Sequence, residues 1–119
     1  MPLYGSSAEK VFEPVPMTDI RRAIRDSLPG LLAEAAGDER NVVLTLSRMW
    51  LTAATGNIAP KDAAAEWAEK QVPPQHKMLL KYAREGYLGM IEDRWGKQER
   101  FEALVSYMEK LIEECLDAP

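Results

Sequence analysis

Apolar residues recur every three or four positions along most of the chain, and no segment shows sustained alternation of apolar and polar residues. This spacing places the apolar side chains of a segment on one face of an α-helix. It predicts five helices: one from about Thr18 to Leu32, one over 39–55, one from about Pro60 towards Pro73, one over 75–88 and one over 97–116. Five helices with short connections are typical of an antiparallel bundle, so the expected fold class is all-α.

Aspartate, glycine and proline mark the expected ends of these helices. Asp38 is a candidate N-cap for the second helix, and Gly56 is a candidate terminating residue. Pro60 suits the first turn of the third helix. Pro29 lies inside the first helix, where a proline removes a backbone hydrogen bond, so we expect a kink or break near Leu28.

Residues 1–16 differ in composition from the helical part of the chain. They include residues that disfavour regular structure, namely Gly5, Ser6, Ser7, Pro14 and Pro16. Extended arms of this kind often join a domain to the one before it. We therefore expect an interdomain arm over 1–16 and a helical domain over 17–119.

Composition and charge narrow the class of protein. Of the 119 residues, 46% are hydrophobic and 29% are charged, which is typical of a soluble globular domain. The net charge is −4 with both signs interspersed, whereas a nucleic-acid-binding protein would present a basic face. No apolar run reaches the roughly 18 residues that a membrane span needs. We expect a cytoplasmic protein that binds neither nucleic acid nor membrane.

Few residues suggest chemistry by themselves. Cys115, the single cysteine, excludes an internal disulfide, and its apolar helical position predicts packing. His76, the single histidine, is expected at the surface near a helix start. The adjacent acidic pairs 92–93 and 113–114 point to different helix faces and are expected to be solvated. With no phosphate-binding loop and no Gly-Ser followed by Asp-x-Asp, we predict neither a catalytic residue nor a metal site in this chain.

Three other residues leave two interpretations open. Arg48 lies beside the apolar stripe of the second helix, Lys61 lies at a helix start where a lysine opposes the helix dipole, and Tyr87 follows a glycine. Arginine and lysine also neutralise phosphate oxygens. The spacing alone is compatible with a structural role for each residue and with a shared anion site.

Several continuous runs resemble the C-terminal domain of streptomycin/spectinomycin adenylyltransferases. They are GDERNVVLTLSRMW at 37–50, TGNIAPKDAAAEW at 55–67, REGYLG at 84–89 and FEPVP at 12–16. The resemblance covers roughly residues 9–112 and its runs are long enough to be specific.

The resemblance implies a two-domain enzyme that transfers AMP from ATP to a hydroxyl of an aminoglycoside or aminocyclitol antibiotic and so gives resistance. A nucleotidyltransferase domain, missing from this chain, would hold Mg²⁺ and supply the general base. The helical domain would close the cleft that binds drug and ATP. By itself the chain is then expected to be inactive and to hold no cofactor tightly. The alternative is a non-enzymatic helical module that pairs with a separate nucleotidyltransferase subunit.

The resemblance also implies two sets of binding residues. The first contacts the drug and consists of Asp38, Asn41 and Glu34, with the Asp38 carboxylate suited to an ammonium or guanidinium partner. The second contacts ATP and consists of Arg48, Lys61 and Tyr87.

At two positions this sequence differs from the family members that accept streptomycin. Those members have a tryptophan and an aspartate where this chain has Pro29 and Glu34. Proline offers no aromatic face to a guanidinium group, whereas Glu34 keeps the charge and could partly substitute. Streptomycin binding as tight as that of spectinomycin would point to Glu34 or Trp95 as the replacement. We therefore expect spectinomycin to be preferred over streptomycin, with Asp38 as the main anionic anchor.

Overall fold

Five α-helices account for most of the described chain in the computed structural model, which describes residues 17–95 and 98–117. The helices are α1 (Met17–Ala33), α2 (Glu39–Thr55), α3 (Lys61–Glu69), α4 (Pro74–Tyr87) and α5 (Gln98–Asp117). Within those two ranges there is no β-strand. The predicted all-α bundle is confirmed, and the arm expected over 1–16 lies outside the described residues.

The core is built around α2, which contacts each of the other four helices. Val42, Val43 and Leu46 of α2 are at most 1% exposed. The same core contains fully buried side chains from α4 and α5, namely Leu80, Leu104, Met108 and Ile112. Burial of each such side chain is worth about 1.5–3 kcal/mol relative to exposure. Because α2 is packed by every other helix, residues at its start are presented by a fixed element.

The ends of α2 agree with the sequence prediction. Gly56 has φ 79°, a left-handed conformation that glycine adopts without strain, and its N–H donates to the Thr52 carbonyl. Asp38 occupies the N-cap position, and its carbonyl accepts the Val42 N–H at 3.0 Å. Its carboxylate makes no capping bond to the backbone, so that side chain is not explained by helix capping.

A break of the first helix near Leu28 is not observed. The helix α1 continues through Pro29 to Ala33. Leu28 is 4% exposed, and Leu31 and Leu32 pack against the core on the far side of the proline. A proline inside a helix costs about 3 kcal/mol, and burial of these leucines offsets that cost.

The surface position predicted for His76 is wrong. The side chain is 9% exposed, and its ring centre lies 4.9 Å from that of Tyr107 on α5. Tyr107 contacts Trp50 edge-on, and Trp50 contacts Trp67 at a centroid distance of 5.1 Å. Burial lowers the pKa of the His76 imidazole, because a charged ring would lose hydration there. The prediction failed because burial of His76 depends on α5, which is distant in sequence.

An ion pair fixes α3 against α4. Arg84 donates through Nε to Glu69 Oε2 at 2.6 Å and through a terminal nitrogen to Glu69 Oε1 at 3.3 Å. This hydrogen bond is the main cause that raises the pKa of Arg84. Arg84, the first residue of the run 84–89, therefore makes a structural contact.

Cys115 packs against the core as predicted.

Candidate functional site

The non-helical segment 56–60 runs back along α2 and places the start of α3 beside the start of α2. Arg48 Nε donates to the Ala59 carbonyl at 3.0 Å, and Lys61 Nζ donates to Asn41 Oδ1 at 2.7 Å. Asn41 and Arg48 are seven residues apart, which is close to two helical turns and puts them on one face of α2. The segment thus follows that face from Arg48 towards Asn41.

Three of the predicted binding residues form a hydrogen-bonded group, called here the Asp38 cluster: Asp38, Asn41 and Lys61. The amide of Asn41 accepts from Lys61 through Oδ1 and donates through Nδ2 to Asp38 Oδ2 at 3.1 Å. Asn41 therefore lies between an ammonium and a carboxylate. Asp38 is exposed, whereas Asn41 and Lys61 are half-buried. The cluster offers opposite charges to ligands on its two sides.

Arg48 adds a second cation to this region. Its side chain is exposed, and within residues 17–95 and 98–117 its two terminal nitrogens make no hydrogen bond. Ala59, to which it is bonded, is two residues before Lys61, a span of at most about 7 Å. Arg48 and Lys61 are thus anchored along the same short segment, and both carry charges that suit phosphate oxygens.

Tyr87 lies at the same end of the bundle. It is the last residue of α4 and is 47% exposed. The carbonyl of its neighbour Gly86 accepts a hydrogen bond from Arg40 Nη1 at 3.1 Å. Arg40 immediately precedes Asn41, so the end of α4 lies beside the first turn of α2.

Glu34 is less closely connected to the Asp38 cluster than the other predicted binding residues. It is exposed in the short connection that follows α1. In the part of the chain that the structure describes, it makes no hydrogen bond or ion pair. The Asp38 N–H donates to the Ala35 carbonyl at 3.0 Å, so Glu34 and Asp38 belong to one connection. A drug contact by Glu34 stays a prediction.

The sequence did not reveal a second polar group beside this site. Asp93, expected to be solvated, has a side chain that is 13% exposed. Its Oδ1 accepts from Arg40 at 2.9 Å and its Oδ2 accepts from Trp95 Nε1 at 2.7 Å. A Cβ at Gly86 would lie 2.7 Å from Asp93 Cγ, so the carboxylate fills the space of the missing side chain. A glycine inside the α4 pattern was the signal that could have shown this close approach.

Over 17–95 and 98–117, no three His, Cys, Asp or Glu side chains lie close enough together to hold a metal ion. None of the described helices combines the length and the apolar character that crossing a bilayer requires.

Comparison with known proteins decides the family. Residues 10–111 match the family model described as "Aminoglycoside adenylyltransferase, C-terminal domain". The chain belongs to this family. The match confirms the family that the sequence runs indicated.

Relatives of the chain are considerably longer. It is 51% identical over 116 residues to a spectinomycin 9-adenylyltransferase of Staphylococcus aureus, covering 97% of this chain and 45% of that protein. It is 46% identical over 109 residues to an aminoglycoside (3'')(9) adenylyltransferase of Escherichia coli, covering 89% and 41%.

A solved structure gives the same result. Spectinomycin adenyltransferase from Enterococcus faecialis, crystallised with ATP and spectinomycin, superposes with a TM-score of 0.75 at 34% identity, covering 88% of this chain and 42% of that one. The chain thus spans less than half the length of each of these proteins.

Proposed function

We propose that this chain is the drug- and ATP-contacting domain of an adenylyltransferase that transfers AMP from ATP to a hydroxyl of spectinomycin or streptomycin, giving antibiotic resistance. The observation that carries the proposal is the Asp38 cluster, in which a carboxylate and an ammonium are joined through one amide. The relatives described above are named for this reaction, and the residues of this chain form a surface with one charge for each of its two substrates.

Each charge in the site suits one ligand. The exposed Asp38 carboxylate is a partner for the ammonium groups of an aminoglycoside or aminocyclitol. Lys61 is bonded to a neutral amide oxygen, and a phosphate oxygen would give it a stronger, charge-assisted bond. Arg48 has terminal nitrogens that can reach further phosphate oxygens, and exposed Tyr87 offers a ring to the nucleotide. The site would hold the two substrates side by side.

The proposed reaction is a displacement at the α-phosphorus of ATP. The drug hydroxyl oxygen forms a bond to that phosphorus, the bond to the β-phosphate oxygen breaks, and pyrophosphate leaves. The hydroxyl proton goes to a base in the accompanying nucleotidyltransferase domain. Mg²⁺, which carboxylates of that domain would hold, would supply charge stabilisation. The residues of this chain contribute by binding and orienting the substrates, which lowers the entropic part of the barrier.

A separate helical module is the second candidate. In the Staphylococcus aureus and Escherichia coli relatives, however, the matching region is part of one longer adenylyltransferase chain. This organisation favours the shared-chain enzyme.

The test joins this chain to the remaining part of the Staphylococcus aureus relative. The joined protein, its fold checked by circular dichroism, is incubated with labelled ATP, Mg²⁺ and spectinomycin, with the intact relative as the positive control. We expect labelled AMP on the drug. A folded joined protein that leaves the drug unmodified, while the relative modifies it, would contradict the proposal.

A further inference from the structure

Arg40 and Asp93 connect the start of α2 to the end of α4. Arg40 Nη1 donates both to Asp93 Oδ1 at 2.9 Å and to the Gly86 carbonyl at 3.1 Å. The Asp93 side chain is 13% exposed, whereas that of Arg40 is 44% exposed. We call this pair the Arg40–Asp93 bridge.

The surroundings hold Asp93 in one place. Its second carboxylate oxygen accepts from Trp95 Nε1 at 2.7 Å. The Tyr82 hydroxyl donates to the Arg94 carbonyl at 2.9 Å and also accepts the Arg94 N–H, which ties the same segment to α4. The Trp95 ring packs edge-on against Tyr82 at 5.3 Å. The carboxylate that Arg40 contacts is therefore fixed from both sides.

Gly86 provides the space for this arrangement. A Cβ there would lie 2.7 Å from Asp93 Cγ and 2.9 Å from Oδ1. Glycine inside a helix is normally unfavourable relative to alanine, because its backbone loses more freedom on folding. The close approach of Asp93 explains why α4 has a glycine at this position.

Both ends of the bridge adjoin proposed binding residues. Arg40 immediately precedes Asn41, and Gly86 immediately precedes Tyr87. We propose that Arg40 and Asp93 are positioning residues, which set the place of Tyr87 relative to the Asp38 cluster without contacting a substrate. This inference rests on the proposed function, because it assigns the bridge a role in that site. Misplacement of a binding group by about 1 Å can cost a hundredfold in rate.

The test uses variants of the joined protein described above, in which this chain is fused to the remaining part of the Staphylococcus aureus relative; it is called the two-domain enzyme below. Arg40→Gln removes the charge, and Asp93→Asn removes the acceptor for Arg40 while an amide oxygen still accepts from Trp95. Arg40→Lys keeps the charge. Ile112→Val is the control, because it trims a fully buried residue of α5 and lowers stability away from the bridge. For each variant, kcat, the KM for ATP, the KM for spectinomycin and the Tm are measured.

We expect Arg40→Gln and Asp93→Asn to lower kcat/KM for ATP by about tenfold to a hundredfold. Arg40→Lys should recover most of that loss. Ile112→Val should lower the Tm and leave the kinetics unchanged. Wild-type kinetics in Arg40→Gln, or an equal kinetic loss in Ile112→Val, would overturn the proposal.

A second readout separates this inference from the proposed function. The tyrosine-ring NMR signals of this chain are recorded, with those of Tyr87 assigned by means of Tyr87→Phe. If the bridge sets the place of Tyr87, its signals shift in Arg40→Gln and stay in place in Ile112→Val. Unshifted Tyr87 signals in Arg40→Gln would overturn the inference even if the enzyme is active, and shifted signals would support it even if no drug is modified.

Discussion

Lys61 is the residue whose position is best explained by ligand binding rather than by helix stability. A lysine in the first turn of α3 opposes the helix dipole, so the helix gains nothing from its charge. Its ammonium is nevertheless held at 2.7 Å from Asn41 Oδ1 inside the Asp38 cluster. An unfavourable charge kept in a defined place is consistent with a phosphate ligand.

In the two-domain enzyme, Lys61→Ala should raise the KM for ATP or lower kcat by about tenfold or more. A charge-assisted hydrogen bond contributes about 1.5–3 kcal/mol, and 1.4 kcal/mol corresponds to tenfold. Steady-state kinetics with varied ATP measures this, and spectinomycin affinity should stay nearly unchanged. Lys70→Ala, at an exposed lysine beyond the other end of α3, is the matched control. Unchanged ATP kinetics in Lys61→Ala would return Lys61 to a structural role.

Among the helices, α2 and α4 show what the sequence could and could not predict. Both ends of α2 carry strong local signals, Asp38 and Gly56, so its bounds were predicted correctly. The extent of α4 was also close to its prediction, since Pro73 precedes it, Pro74 begins it and Gly89 follows shortly after its end. The environment of His76 was not predictable, because its burial is created by Tyr107 on α5.

For the candidate site, the sequence predicted individual residues but not the contacts between them. Asp38, Asn41 and Lys61 could be named from two sequence runs that resemble the family, 37–50 and 55–67, but their hydrogen bonds depend on how the segment 56–60 returns along α2. Arg40 and Asp93 are separated by 53 positions, and neither lies in a pattern that distinguishes it from a surface charge. Long-range ion pairs of this kind appear only once the helices are packed.

The packing of α4 on α5 through His76 makes stability depend on pH. Burial puts the folded-state pKa of His76 below the ordinary value of 6.5, so the unfolded chain binds a proton more readily than the folded one. The His76 contribution to the free energy of unfolding is therefore fully present above pH 6.5 and is lost as the pH falls below that value, towards the lowered folded pKa.

Urea unfolding of this chain at a series of pH values checks the prediction. His76 is the single histidine, so a His76→Phe variant, which keeps an aromatic ring beside Tyr107, removes imidazole titration altogether. As the pH falls below 6.5, the free energy of unfolding of the wild type should decrease relative to that of the variant. A difference independent of pH would show that His76 has the same pKa in both states.

For the molecule as a whole, the proposed function makes drug choice depend on what surrounds the Asp38 cluster. Pro29 and Glu34 are both exposed, and Pro29 offers no aromatic face. Trp95, the candidate replacement, donates to Asp93 and packs edge-on against Phe101 at 6.1 Å, so its ring is engaged between α4 and α5. These contacts support a spectinomycin preference.

Calorimetric titration of the two-domain enzyme with each drug should therefore give weaker binding for streptomycin, by about tenfold to a hundredfold. Loss of an aromatic–guanidinium contact costs about 0.5–2 kcal/mol of binding free energy, and the altered position of the carboxylate weakens streptomycin binding further. Pro29→Trp should narrow the gap. Equal affinities for the two drugs in the wild-type enzyme would contradict this account of specificity.

The role of Asp38 as the anchor for the drug is the central claim, and one titration tests it directly. Spectinomycin is titrated into the two-domain enzyme and its Asp38→Asn variant, with a non-reactive α,β-methylene analogue of ATP present. The Asp38 side chain makes no capping bond and asparagine can still accept from Asn41, so the change removes the charge and little else. Asp26→Asn, at an exposed aspartate of α1, is the control. The account predicts a Kd for spectinomycin about tenfold or more higher in Asp38→Asn alone, whereas a Kd equal to that of the wild type would contradict it.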